Sequence, residues 1–100
     1  MSLESATEAI RSKAGLSPPL GYRAKFDFGV EGVIFWDGTK TPPEIGNTAG
    51  EADTTLSLSL GDMEKLVAGE LNPTTAYMMG KLRIEGSMGV ALKIGELLGD

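Results

Sequence analysis

Few side chains in this sequence are of a type and spacing that could carry out chemistry. Histidine and cysteine are both absent, which excludes thiol nucleophiles, triads of the Ser-His type, disulfides and nearly all zinc or haem sites. None of the fourteen carboxylates stands in an apolar setting at a spacing suited to acid–base catalysis. Asp53, before a strand, and Asp62, at a helix start, are better explained as turn and capping residues. We therefore predict no catalytic residue, no metal and no enzymatic activity.

Phosphate and nucleic-acid sites are also disfavoured. Gly29, Gly32 and Gly38 flank strands, but they match neither the G-x-G-x-x-G pattern nor the G-K-[ST] pattern of phosphate-binding loops. Nine basic residues stand against fourteen acidic ones, for a net charge of −5, and they form no basic stripe of the kind that phosphate contacts need. We expect no cofactor, no nucleic-acid partner and no stable insertion into a membrane.

The methionines carry more information than the charged residues. Met78, Met79 and Met88 lie in two segments that bracket one strand, beside Tyr77. Methionine fills irregular gaps in a core, but it also lines surfaces that accept variable apolar partners. Each methionine taken alone favours core packing, whereas the cluster favours an adaptable apolar wall, and both interpretations stay open on the residues alone.

The first half of the chain predicts a helix followed by a hairpin. Apolar residues at helical spacing run to Gly15, with Ser5 and Glu8 as a possible capping box. The segment YRAKFDFGV then alternates cleanly, which predicts a strand whose apolar face is Tyr22, Ala24, Phe26, Phe28 and Val30. A turn over residues 29–32 leads to the strand GVIFWDG. That second strand is apolar on both faces, so we expect it to be central and covered on both sides.

The second half predicts short strands and helices in alternation. A Pro-rich loop could hold a short edge strand around Glu44 and Ile45, and DTTLSLSL predicts a strand. GDMEKLVAG and NPTTAYMMG predict short helices, the second with Asn72 as its N-cap, and KLRIE and SMGVALKIGELLG predict a strand and a last helix. Together these patterns predict a single α+β domain over residues 1–100, with a mostly antiparallel five-stranded sheet and helices on one face.

From Asp53 to Ile94 the chain resembles the sterol carrier protein 2 domain, also called the non-specific lipid-transfer family. The segments that carry the resemblance are ADTTLSLSL, LVAGEL, NPTTAYMMGKLRIEG and SMGVALKI. The resemblance implies a sheet backed by helices around an apolar tunnel for fatty acyl chains, acyl-CoA, sterols or phospholipids, with no covalent chemistry and no metal. Tyr77 stands at the family's aromatic position. The residues expected to line the tunnel are Phe26, Phe28, Phe35, Leu58, Leu66, Tyr77, Met78, Ile84, Met88 and Leu92.

Two functions follow from these expectations. The first is non-catalytic binding and transfer of apolar ligands in an internal hydrophobic cavity. The alternative is a protein-interaction, dimerisation or accessory module whose cavity has closed, and a homodimer fits this alternative. A cytoplasmic location is expected, because the sequence shows no apolar run near the roughly 20 residues of a membrane span, no signal-peptide pattern and no peroxisomal tail.

Overall fold

The computed structural model describes residues 1–99, and its helices and strands follow the predicted order. The helices are α1 (Leu3–Leu16), α2 (Leu60–Val67), α3 (Pro73–Met78) and α4 (Met88–Leu98). The strands are β1 (Arg23–Asp27), β2 (Val33–Asp37), β3 (Glu44–Gly46), β4 (Thr54–Ser57) and β5 (Arg83–Gly86). A 3₁₀ turn over Gly29–Glu31 joins β1 to β2.

The strands form one sheet in the order β3-β2-β1-β4-β5. Every neighbouring pair is antiparallel except β1 and β4, which are parallel. The β1–β2 hairpin, the short edge strand at Glu44 and Ile45 and the mostly antiparallel α+β sheet are confirmed. The parallel pair arises because β3 occupies the far side of β2, so that the chain crosses back over residues 47–53 and enters β4 beside β1.

The helices cover the face of the sheet that carries the alternating apolar residues. Phe26, Ile34 and Leu56 from three adjacent strands are fully buried there, together with Ile10 of α1 and Ile94 of α4. α1 contacts β2 and β3, whereas α4 contacts β4 and β5. Each of these large side chains contributes about 1.5–3 kcal/mol when it leaves water, so this single cluster holds the sheet and the helices together.

The opposite face of the sheet is mainly polar. Residues such as Lys25, Thr55 and Glu85 point to that side, as the strand alternation requires. Val33 and Phe35 also lie there and are half-buried, so the expectation that β2 is fully covered on both sides is wrong.

Two further details of the sequence reading are corrected. Tyr22 and Val30 are exposed, because β1 ends at Asp27 and the 3₁₀ turn removes Val30 from the alternation. The capping box of α1 pairs Ser2 with Ser5, one turn earlier than the predicted pair.

Polar side chains fix the starts of the three later helices and of β4. Ser59 and Ser87 accept hydrogen bonds from backbone N–H groups in the first turns of α2 and α4. Asn72 accepts bonds from the N–H groups of residues 74 and 75 at the start of α3. Asp53 accepts a 2.8 Å bond from the N–H of Arg23, which fixes the entry to β4 beside β1. These bonds satisfy donors that would otherwise lack partners at helix and strand ends.

Two glycines near the start of α4 should respond oppositely to alanine substitution. Gly86 has a φ of +87°, and a Cβ there would lie 2.4 Å from the backbone oxygen of Asp53. Gly86→Ala should therefore destabilise the fold by at least the roughly 1–3 kcal/mol of a strained backbone. Gly89→Ala, whose Cβ meets nothing within 4 Å, should stabilise it by up to about 1 kcal/mol. Urea unfolding measures both changes, and equal effects at the two positions would contradict this account of β5 and α4.

Candidate functional site

The predicted tunnel residues fall into several groups in the structure. Phe26, Phe28, Leu58 and Leu66 belong to the buried core cluster beneath the helices, and Ile84 packs against that cluster from the edge strand. Leu92 of α4 is half-buried, and Met88 at the start of the same helix is exposed. The structure therefore gathers half of the predicted residues into the core or against it.

Tyr77, Met78 and Ile84 come together in an open groove between α3 and β5. The groove has a volume of about 600 Å³, and its remaining lining residues are Gly80, Leu82, Arg83 and Glu85. Leu82 is buried at its base, whereas Tyr77, Met78 and Met79 are 43%, 79% and 59% exposed. One rim thus presents apolar side chains to solvent, and the base is continuous with the core.

Local sequence places this apolar rim. Asn72 and Pro73 start α3, and Gly80 ends the segment with a φ of +75°. The N–H groups of Lys81 and Leu82 both donate to the backbone oxygen of Ala76, which fixes the link between α3 and β5. Only Pro73 and Ala76 of α3 are buried, so this short helix faces the core with its small residues and faces outward with Tyr77 and Met78.

The methionines divide between the two roles that the sequence left open. Met63 of α2 is fully buried and packs within the core, as a gap-filling methionine does. Met78, on the rim of the groove, and Met79, beside it, are exposed. Packing of the fold therefore constrains these two methionines much less than it constrains Met63.

Phe35 lies apart from the other predicted site residues. It points to the polar face of the sheet and lines a separate pocket of about 270 Å³ with Asp37, Lys40 and Ile45 among others. A Cβ on Gly50 would lie 3.4 Å from the Phe35 ring, so the loop that follows β3 passes close to this aromatic side chain. Strand alternation separates Phe35 from the core cluster, since its neighbours on β2 point the other way.

Ion pairs and hydrogen bonds hold the end of β2 next to that pocket. The Thr39 hydroxyl donates a hydrogen bond to Asp37, and this bond, with the Thr39 N–H at 3.0 Å and the Arg23 guanidinium at 3.4 Å, keeps the pKa of Asp37 below its ordinary value. The hydrogen bond from Lys40 to Glu44, together with the charge of that carboxylate, raises the pKa of Lys40. These charged groups are paired with one another, so they fix the loop geometry and offer no acid–base pair.

A further pocket was not anticipated from the sequence. Two Pro-Pro pairs, Pro18–Pro19 and Pro42–Pro43, line a mainly apolar pocket of about 230 Å³ together with Trp36. From their residue type alone, the two pairs predict only loops and the end of a helix. The signal that was present is their recurrence in the two loops that flank the hairpin, but only the folded sheet brings these loops together.

Two absences bear on the chemistry. Residues 1–99 contain no cluster of three or more carboxylates, histidines or cysteines that could hold a metal ion. In the same part of the chain, no helix combines the length and the apolar character that a membrane crossing requires.

A family model describes most of this architecture. The model of the SCP-2 sterol transfer family matches residues 31–99, which include β2 to β5 and the helices α2, α3 and α4. The chain belongs to the SCP-2 sterol transfer family. The resemblance drawn from residues 53–94 is thus confirmed and extends over more of the chain.

Individual relatives agree with the family assignment. The chain is 46% identical over 54 residues to the hydroxysteroid dehydrogenase-like protein 2 of Xenopus laevis, a match that covers 54% of this chain and 13% of the relative. It is 41% identical over 53 residues to the sterol carrier protein 2 of Bos taurus, covering 53% of this chain and 10% of that protein. The chain therefore spans only about an eighth of the length of the curated relatives it matches.

Among solved structures, the fold is similar to that of Sterol Carrier Protein 2 Like 2 from Aedes aegypti. The TM-score is 0.74 at 24% identity, and the match covers 96% of this chain and 95% of that one. The SCP-2 domain is a lipid-binding fold, and the five-stranded sheet with helices on one face is the architecture that the two chains share.

The exposed and buried methionines should differ sharply in their effect on stability. Met78→Ala should change the free energy of unfolding by less than about 0.5 kcal/mol, as exposed substitutions usually do. Met63→Ala should lower it by about 2–5 kcal/mol, because it leaves a cavity in the core. Chemical denaturation of both variants measures the contrast. A large loss of unfolding free energy for Met78→Ala would mean that the Met78 side chain packs in the core and is not exposed on the rim of the groove.

Proposed function

We propose that this domain binds and transfers apolar ligands without covalent chemistry, and that the groove between α3 and β5 is where such a ligand enters. The observation that carries the proposal is the exposed Tyr77-Met78-Met79 segment, held beside a groove whose base is core. Family membership supports the same conclusion, because the SCP-2 domain is a lipid-binding fold.

The groove is open to solvent and is lined by both apolar and charged residues, so it suits the entry of an apolar ligand more than its full burial. Its volume of about 600 Å³ falls within the roughly 300–1,000 Å³ of typical small-molecule sites. The rim carries one positive and one negative side chain, Arg83 and Glu85, so it favours neither sign of head group. Methionine side chains can repack around chains of different shape, which suits a carrier of varied ligands.

The bound chain would continue from the groove into the core. Ile84 packs against the same cluster that contains Phe26, Phe28, Leu58 and Leu66. A ligand that displaces the exposed rim meets Ile84 first and then Leu56, the member of that cluster that stands opposite Ile84 on β4. Met88 and Leu92 on α4 would cover the chain from the helix side in this proposal, whereas Phe35 lies on the other face and contributes indirectly through β2.

A second candidate function is self-association through the free edge of β5. Within residues 1–99, β5 pairs only with β4, and unpaired strand edges readily add another strand. The N–H of Ser87 donates to the oxygen of Asp53, while Thr54 stands opposite Gly86. This bond makes Thr54 and Gly86 a non-hydrogen-bonded pair, and such pairs alternate with hydrogen-bonded pairs along an antiparallel ladder, so Leu56 and Ile84 are also a non-hydrogen-bonded pair. Ile84 therefore turns its N–H and C=O away from β4, toward the open edge.

The charges of β5 fit a second copy of the same strand. Antiparallel pairing of two β5 strands about Ile84 would let the two Ile84 residues exchange both backbone hydrogen bonds. The same register would set Arg83 opposite Glu85 of the second copy, and Glu85 opposite its Arg83. Opposite charges facing each other across strands stabilise a pair, whereas like charges destabilise it. The exposed Tyr77 and Met78 would flank the new junction.

Ligand affinity should rise with chain length. Each buried methylene contributes about 0.8 kcal/mol, so saturated acyl probes should bind about fourfold more tightly per added carbon until the site is filled. Probe displacement, with native mass spectrometry of the protein as purified, measures both affinity and lipid already bound. Affinity that does not depend on length would argue against a buried apolar site.

A matched pair of charge substitutions locates the entry. Met78→Glu should weaken binding of every probe at least tenfold, since it places a charge on the rim where a chain must enter. Val30→Glu adds the same charge at an exposed apolar residue that does not line the groove, and it should leave affinity within about twofold. If both variants bind equally well, ligands do not enter at α3 and β5.

Charge reversal tests the dimer. Arg83→Glu would set Glu opposite Glu at two symmetric contacts, so sedimentation should shift toward monomer. The double variant Arg83→Glu with Glu85→Arg restores opposite charges and should recover the dimer. A wild-type protein that stays monomeric at high concentration, or a double variant no better than the single one, would exclude this interface.

A further inference from the structure

The indole of Trp36 is the least satisfied polar group in the core. Trp36 is the only tryptophan of the chain, and it is 1% exposed on the helix-covered side of β2. Its Nε1 is buried and has no hydrogen-bond partner among residues 1–99. Buried donors nearly always have a partner, and an unmade bond of this kind destabilises the fold. An acceptor from outside the chain would remove that penalty.

The Pro-walled pocket described above lies against this indole. Its volume of about 230 Å³ corresponds to about seven groups of water or methylene size, at roughly 30 Å³ each. Four of its wall residues are prolines, which carry no N–H. The pocket thus suits a short apolar segment, and the indole N–H beside it is a donor that the fold leaves unused.

Backbone hydrogen bonds do not tie the two proline segments to the sheet. Nε1 has less than 1 Å² of accessible surface. An oxygen atom can therefore reach it only when the two proline segments move apart. Residues 18–20 and 41–43 take part in none of the backbone hydrogen bonds found in residues 1–99 outside helices and strands. The bonds that hold the sheet nearby, such as Gly21 N–H to Gly38 O, lie outside these segments.

The surroundings favour a neutral oxygen over a carboxylate. Lys40 is the only cationic residue that lines this pocket among the described residues, and its ammonium group is bonded to Glu44. The other polar side chains of the pocket are the neutral hydroxyls of Ser17 and Thr41, and the Ser17 hydroxyl already donates to the backbone oxygen of Lys13. Burying a carboxylate there is unfavourable, because a buried charge needs a counter-charge or several hydrogen bonds. A hydroxyl or an ester carbonyl needs only the one donor that Trp36 offers.

We infer that the pocket between the two Pro-Pro pairs is a subsite for the oxygen-bearing end of a neutral lipid, with Trp36 Nε1 as the hydrogen-bond donor to that oxygen. This inference rests on the proposed lipid-binding function and adds to it a chemical preference. An alcohol should bind more tightly than the alkane of the same length, and more tightly than the corresponding carboxylate.

A single NMR signal tests the contact directly. Because the chain has one tryptophan, the ¹H–¹⁵N spectrum of the full chain has one indole N–H peak. Titration with 1-octanol should shift that peak downfield, as a newly formed hydrogen bond does. Titration with octane should move backbone amides without that downfield shift, and octanoate should bind more weakly than 1-octanol.

A variant separates hydrogen bonding from apolar contact. Trp36→Phe removes the donor and should reduce the affinity ratio of 1-octanol to octane by about threefold to tenfold, the contribution of one hydrogen bond. Tyr22→Phe removes a hydroxyl outside this pocket and should leave the ratio unchanged. If Trp36→Phe does not fold, the wild-type titration alone decides.

The outcomes distinguish this inference from the proposed function. Equal binding of 1-octanol and octane with no change at the indole would overturn the subsite and leave lipid binding intact. An unchanged ratio in Trp36→Phe would do the same. Absence of binding by any of these ligands and by the longer acyl probes would overturn both.

Discussion

A row of apolar side chains across the sheet is the contact on which the rest of the structure depends. The strand registers place Ile34 opposite Phe26, Phe26 opposite Leu56, and Leu56 opposite Ile84. The first three side chains are fully buried under the helices, whereas Ile84 is half-buried. Side-chain burial along this row therefore decreases toward β5, because within residues 1–99 no strand lies beyond β5. The groove exists where this row reaches the edge of the sheet.

The same constraint explains why Tyr77 and Met78 can occupy a helix of six residues, with Met79 as its C-cap. α3 contributes only Pro73 and Ala76 to the buried surface, and close packing of Pro73 against Gly95 of α4 leaves no room for a larger residue at that contact. The helix is thus held by its small residues. Tyr77 and Met78 are released from packing, so their type can be set by what binds there and not by stability.

The two apolar openings lie at opposite edges of one sheet. The groove lies at β5, and the Pro-walled pocket lies near β2 and β3, where Trp36 stands opposite Ile45. Between them the core is continuous. Ligand transfer requires release as well as burial. At both openings a residue of the core cluster, Trp36 or Leu82, lines the pocket or groove. The matched relatives are several times longer than this chain.

The sequence by itself determined the features that depend on neighbouring residues. Serine and asparagine caps, prolines, glycines and the alternation of YRAKFDFGV and DTTLSLSL placed nearly every helix and strand, because these preferences act through local backbone geometry and hydrogen bonds. The segment AYMMGKLRIEG likewise identified the family, and three of the predicted tunnel residues, Tyr77, Met78 and Ile84, line the open groove. Only the tertiary structure decided the parallel pairing of β1 with β4, the separation of Phe35 from Phe26 and the meeting of the two Pro-Pro pairs beside Trp36. Those features depend on which distant segments pack together, and that choice is made by the burial of one shared core, which no short stretch of the chain specifies.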